Sequence, residues 1–194
     1  MIGTVPMTAL APLDYRNALD AAMALIDTSR PVKVCCDTAE LQAEVRQRWP
    51  NQMGGDRATA TLWIEPSAEH WQAHLATIVQ TAVPGAQLII IGSQPLTRLI
   101  SERRRWTDRP LGLAIGGGLR LRQALRRAGF RIKARYGFHS AMAIGLNMAV
   151  RFAAGWGRPD LADRLQAAAR LSYVAAGPVA TLATVALIDA RKEA

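Results

Sequence analysis

His70 and His74 stand four residues apart in the stretch "SAEHWQAHLATIVQTA". On a helix that spacing puts both imidazoles on one face, where they could hold a metal ion. The third ligand would have to come from Glu65 or Asp56. A solvated surface pair explains the same residues more simply, and no metal is expected. His139, in "YGFHSAM", has the chemistry of a general base, but a base needs a carboxylate or carbonyl to orient its ring. The sequence names no such partner, and a structural histidine is the competing reading. Cys35 and Cys36 are adjacent, and neighbouring cysteines bridge only with strain. Inside a buried strand their thiols are expected to be inert.

A second constellation is cationic. Gly116, Gly117 and Gly118 precede a helix start, with Arg120 and Arg122 just behind. Backbone N–H groups at such a terminus suit a phosphate or carboxylate, although a flexible connection needs the same glycines. Arginines crowd the chain from Arg98 to Arg135, and Arg103, Arg104, Arg105, Arg120, Arg122, Arg126 and Arg127 are the candidate anion- or partner-binding set. Trp106 could stack on a base or anchor a partner. The net charge of +9 favours acidic or polyanionic partners. A protein partner or larger assembly is the first expectation. An anionic membrane surface and a homo-oligomer remain open. Nucleic acid ranks lower, because no known binding motif is present.

These groups need a scaffold, and 194 residues give one sizeable domain, taken as a single unit over 1–194. "DYRNALDAAMALIDTS" reads as a helix capped by Asp14, within an N-terminal helical segment over 1–30. "RPVKVCC", "ATATLWIEP" and "QLIIIGS" read as strands, the last buried on both faces. Between them "DTAELQAEVRQRWP" and "SAEHWQAHLATIVQTA" read as helices, the second capped by Ser67. "GLAIGGG" reads as flexible. "LRLRQALRRAGF" is a basic amphipathic helix whose apolar set is Leu119, Leu121, Ala124, Leu125 and Ala128, with Gly129 just past its end. "RIKARYGFHS" is a strand, 142–156 and 159–173 are helices, and "ATLATVALIDARK" is a closing strand. Strand and helix alternate, which argues for an α/β domain with a largely parallel sheet. "LSYVAAGPVATLATVALI" approaches membrane-spanning length, but Gly177-Pro178 and its small polar residues suit a buried hairpin or strand better. No leader is read at the N-terminus, and a cytoplasmic location, peripheral to a membrane at most, is expected.

This order of elements resembles a class I S-adenosylmethionine-dependent methyltransferase. "AVPGAQLIIIG" looks like the turn and fifth strand of that family, and "LRQALRRAGFRIKARYGF" looks like its next helix, glycine turn and sixth strand. "ATLATVALIDARK" looks like the seventh strand, which in the family inserts antiparallel beside the fifth. The resemblance implies a Rossmann-like sheet, mostly parallel with an antiparallel last strand, and a helical insertion over 140–175 before that strand.

"VKVCCDTAEL" answers to the family's first motif, which ends a strand with Gly-Cys-Gly-Thr-Gly. The three glycine positions hold Cys35, Asp37 and Ala39, while Thr38 and Glu40 fit the pattern. A Cβ at each position pushes a cofactor away or forces another turn. Asp37 also sets a negative charge where the methionine carboxylate would lie. Too few residues separate this motif from "TLWIEP" for the usual second and third strands, so the acid that binds the ribose has no counterpart. Glu65 matches the end of the fourth strand, near an acceptor. The chain is therefore expected to be a shortened, non-catalytic accessory protein without a cofactor. The alternative is an active enzyme that binds S-adenosylmethionine through Cys35, Asp37, Thr38, Ala39 and Glu65, with His139 and Glu65 at the acceptor. A nucleic-acid-binding protein is the third reading.

Overall fold

The computed structural model describes residues 13–27, 31–36, 43, 45–47, 58–97, 111–115 and 118–193. Among the described residues six strands form one sheet: β1 (Val32–Cys36), β2 (Ala60–Ile64), β3 (Gln87–Ser93), β4 (Phe130–Ser140), β5 (Val174–Ala176) and β6 (Ala183–Lys192). Their order across the sheet is β1-β2-β3-β6-β4-β5. β1, β2 and β3 pair in parallel, and β6 enters antiparallel between β3 and β4. Because β6 reverses the direction twice over, β1 to β4 all aim their carboxyl ends at the same edge.

Alternation along the strands divides the core. Ile89 and Ile91 of β3 pack with Leu62, Ile64, Val185 and Leu187 under helix α1 (Leu13–Leu25). Leu88 and Ile90 point the other way, onto Trp63 and the buried faces of α2 (Trp71–Thr81) and α4 (Leu119–Arg127). All seven residues of β3 are buried, as its unbroken apolar run predicts. A one-turn helix, α3 (Leu111–Ala114), covers this second face through Leu111, so the start of "GLAIGGG" is ordered rather than flexible. Its close packing explains Gly92, where a Cβ would meet the Leu111 side chain.

Several local signals act one or a few residues from where the sequence suggests. Helix α1 already includes Asp14, which is therefore not its cap. Ser67 caps a turn ahead of α2: its hydroxyl accepts from the N–H groups of Glu69 and His70 at 3.1 and 3.2 Å, and the helix begins at Trp71. Leu119, at the exposed first position of α4, does not join the apolar set that Leu121 and Leu125 bury. Gly129 takes φ +75° after that helix, and its N–H donates to the Arg126 carbonyl.

Between Ile132 and Ala134 the pairing of β4 with β6 slips by one residue. This bulge exchanges the faces of the strand. Phe130 and Ile132 lie on the α2/α4 side, whereas Tyr136 and Phe138 lie on the α1 side. β4 then passes straight into α5 (Ala141–Gly155), with Ser140 as the cap: its hydroxyl accepts from the Ala143 N–H at 3.1 Å. Helices α5 and α6 (Pro159–Leu171) pack on each other as a hairpin between β4 and β6. The apolar segment that approached membrane length divides into the end of α6, the short strand β5, a 3-10 turn over Gly177–Thr181 and β6. Among the described residues no helix is long and apolar enough to cross a membrane.

Candidate functional site

In open α/β sheets ligands bind outside the carboxyl ends of the strands. That edge here carries Cys36, Glu65, Ser93, Gln94, His139 and Ser140. Glu65 follows β2 with φ +46°, a left-handed conformation that is costly for a side chain with a Cβ. Its Oε1 accepts from the Ser93 N–H at 3.0 Å and from the Ser93 hydroxyl at 2.6 Å. The Glu65 N–H donates to the Ile91 carbonyl at 2.8 Å. Glu65 thus ties the ends of β2 and β3 together.

Neighbouring polar groups are used in the same way. The Thr97 hydroxyl donates to the Thr184 carbonyl, and the Thr184 hydroxyl donates to the Phe138 carbonyl at 3.1 Å. Gln94 donates its N–H to the Thr184 carbonyl at 2.8 Å, and the Ser140 hydroxyl donates to the Ser172 carbonyl. Ser93, Gln94, Thr97, Ser140 and Thr184 are all buried. Hydrogen bonds between strands and turns therefore run along most of this edge.

His139 is the second non-glycine residue at positive φ, at +54°. Its ring stacks on Tyr173 with centroids 5.9 Å apart and planes at 16°. The Tyr173 hydroxyl accepts from Asn17 Nδ2 at 3.1 Å, which fastens the stack to α1. Among the described residues no hydrogen bond orients the imidazole. The strand order leaves three spacings between β2 and β4, about 14 Å, so Glu65 and His139 do not touch.

Other candidates separate. Cys35 packs on the Trp63 side of β1 and Cys36 on the α1 side, so adjacent thiols face opposite ways. Asp37, Thr38 and Ala39 lie outside the described residues, as do Asp56, Arg103, Arg104, Arg105, Trp106, Gly116 and Gly117. His70 is exposed, with Nε2 3.8 Å from a Glu69 oxygen, whereas His74 and Trp63 form a T-shaped pair with ring centroids 6.4 Å apart. Among the described residues no three metal-ligating side chains converge. Arg120, Arg126 and Arg127 are exposed on α4, and Arg122 is partly buried.

The helical hairpin presents an apolar outer face. Met148 and Phe152 on α5, and Trp156 just past its end, follow one another at four-residue spacing and are 56%, 59% and 77% exposed. Phe152 and Trp156 approach each other at 6.3 Å between centroids. Arg151 and Arg158, both exposed, flank them.

No family model matches the sequence, and no curated protein matches it. Solved structures do. An S-adenosylmethionine-dependent methyltransferase from Thermotoga maritima superposes with a TM-score of 0.57 at 13% identity, over 96% of this chain and 93% of that one. The fold is that of a class I S-adenosylmethionine-dependent methyltransferase. A methyltransferase from Mesorhizobium loti gives 0.47 at 16% identity, over 89% and 96% of the two chains. Human N-acetylserotonin methyltransferase gives 0.45 at 16% identity, with 97% of this chain on 55% of that one.

In methyltransferase terms β1, β2, β3, β6 and β4 stand for the first, fourth, fifth, seventh and sixth strands. The antiparallel seventh strand and the helical insertion before it are where the resemblance placed them. Beyond β1 no strand is described, so the described residues offer no second-strand carboxylate for a ribose. Glu65 carries a carboxylate at the end of β2, but Ser93 engages its Oε1.

Proposed function

We propose that this methyltransferase-fold protein does not transfer methyl groups and acts as an accessory or interaction subunit. The hydrogen-bonded closure of the carboxyl edge, centred on Glu65 and Ser93, carries this reading. Among the described residues of that edge, Glu65 and Ser93 engage each other, and the hydroxyls of Thr97, Ser140 and Thr184 bond backbone carbonyls. The outward face of α5 and the exposed arginines of α4 supply the docking surface, and apolar anchors beside guanidinium groups suit a protein partner.

An active transferase with a shortened pocket is the second reading. Glu65 and His139 favour it, because both adopt left-handed backbone conformations at the carboxyl edge, and such strain is concentrated at functional sites. Calorimetric titration with S-adenosylmethionine and S-adenosylhomocysteine separates the two. The accessory reading expects no heat and no thermal stabilisation at millimolar ligand. Micromolar affinity for either ligand supports the transferase.

A further inference from the structure

Arg122 of α4 and Arg135 of β4 line one small pocket, together with Gly118, Tyr136, Thr181 and Ile188. The β4 bulge brings them together: it turns Arg135, paired with Ile188, onto the α4 side of the sheet. Among the described residues neither guanidinium makes a hydrogen bond or an ion pair, and the Arg122 Nε is fully buried without an acceptor. Burial, and then repulsion by Arg122, hold the Arg135 guanidinium below the usual arginine range. A half-buried pair of like charges is costly unless an anion completes it.

We propose that Arg122 and Arg135 form a binding site for a phosphate group. A phosphate monoester dianion neutralises both guanidinium charges, and each guanidinium presents a planar donor fork to phosphate oxygens. The pocket's free volume is about 10 Å³, room for one water-sized atom. One phosphate oxygen therefore enters toward the Arg122 Nε, and the remainder of the group sits at the mouth beside Gly118. Leu121 and Ile188, both buried, form an apolar floor that strengthens the attraction by excluding water. The site lies between α4 and the 3-10 turn, beside the carboxyl edge, whose Gln94 also lines it, and does not depend on whether a methyl group is transferred.

The test is thermal unfolding of the full chain titrated with inorganic phosphate, against sodium chloride at matched ionic strength. Wild type is expected to gain several degrees, saturating in the millimolar range. Arg122→Gln and Arg135→Gln should each lose that gain. Arg135→Gln should also melt no lower than wild type without phosphate, because it removes a like-charge contact. Arg131→Gln, on the exposed side of β4, should respond as wild type does. Should a variant fail to fold, phosphorus-31 line broadening with wild-type protein, reversed by excess sulfate, reads the same site. A parallel arm with vesicles of phosphatidylcholine and phosphatidic acid separates a lipid headgroup from a soluble phosphate ester. Equal responses to phosphate and chloride, or an unchanged phosphate response in both arginine variants, would overturn the proposal.

Discussion

The Glu65 carboxylate accepts two hydrogen bonds from one residue, Ser93, through its N–H and its hydroxyl. That bracket holds Glu65 in a left-handed conformation and joins the ends of two central strands. It commits one oxygen of an acidic residue at the carboxyl edge to structure.

Ser93→Ala therefore weakens the fold at a fully buried position. Hydrogen bonds to charged groups contribute roughly 1.5–3 kcal/mol, and the variant retains the backbone one. A loss of about 2 kcal/mol in urea unfolding is expected. A loss below about 0.5 kcal/mol would show the bracket to be incidental.

Gly137 and Gly145 should respond in opposite directions to alanine. A Cβ on Gly137 would lie 2.8 Å from both Ala180 Cα and Ala183 Cβ, with backbone on one side. Gly137→Ala should cost about 1–3 kcal/mol, the usual range for overpacking. Gly145, inside α5, faces open space, so Gly145→Ala should add about 0.5–1 kcal/mol through helix propensity. Thermal melts of the two variants check both signs.

Gln87 links three elements from its position in β3. Its Nε2 donates to Asp189 Oδ1 at 2.9 Å and to the Leu25 carbonyl at 3.2 Å. Gln87→Leu removes both bonds and leaves Asp189, 9% exposed, without that donor. Stability should fall by about 2 kcal/mol. Hydrogen exchange at the end of α1 should accelerate, and unchanged exchange there would contradict the role of Gln87 as a clasp.

Phe152→Ser with Trp156→Ser tests the outer face of α5. Both side chains are mostly exposed, so the melting temperature should move little. Retention on a hydrophobic column, and fluorescence of a bound apolar dye, should drop markedly. A melting point lowered by ten degrees would mean that these rings belong to the core.

Much of the scaffold was legible because its signals are local. The unbroken apolar run of β3, the Gly129 turn and the alternation of strands and helices each dictate structure within a few residues. The bulge at Ile132/Ala134 was not legible, since it depends on pairing with β6 nearly sixty residues later. The faces of Tyr136 and Arg135, and so the Arg122–Arg135 pair, could not be read without it. β5 gives no sequence signal of its own, because three residues carry too short a pattern to show an alternation. Ser140 carries a cap signal, as a serine immediately ahead of an apolar helix, but the strand pattern that runs through it hides the cap. The site was less legible than the fold. The Glu65–Ser93 bracket spans 28 residues, and only the strand order separates Glu65 from His139.

The most direct test of the central claim is calorimetric titration of the purified chain with S-adenosylmethionine and S-adenosylhomocysteine. The accessory reading predicts no heat with either ligand at millimolar concentration. Stoichiometric binding at micromolar concentration would contradict that account and make the chain a cofactor-binding methyltransferase.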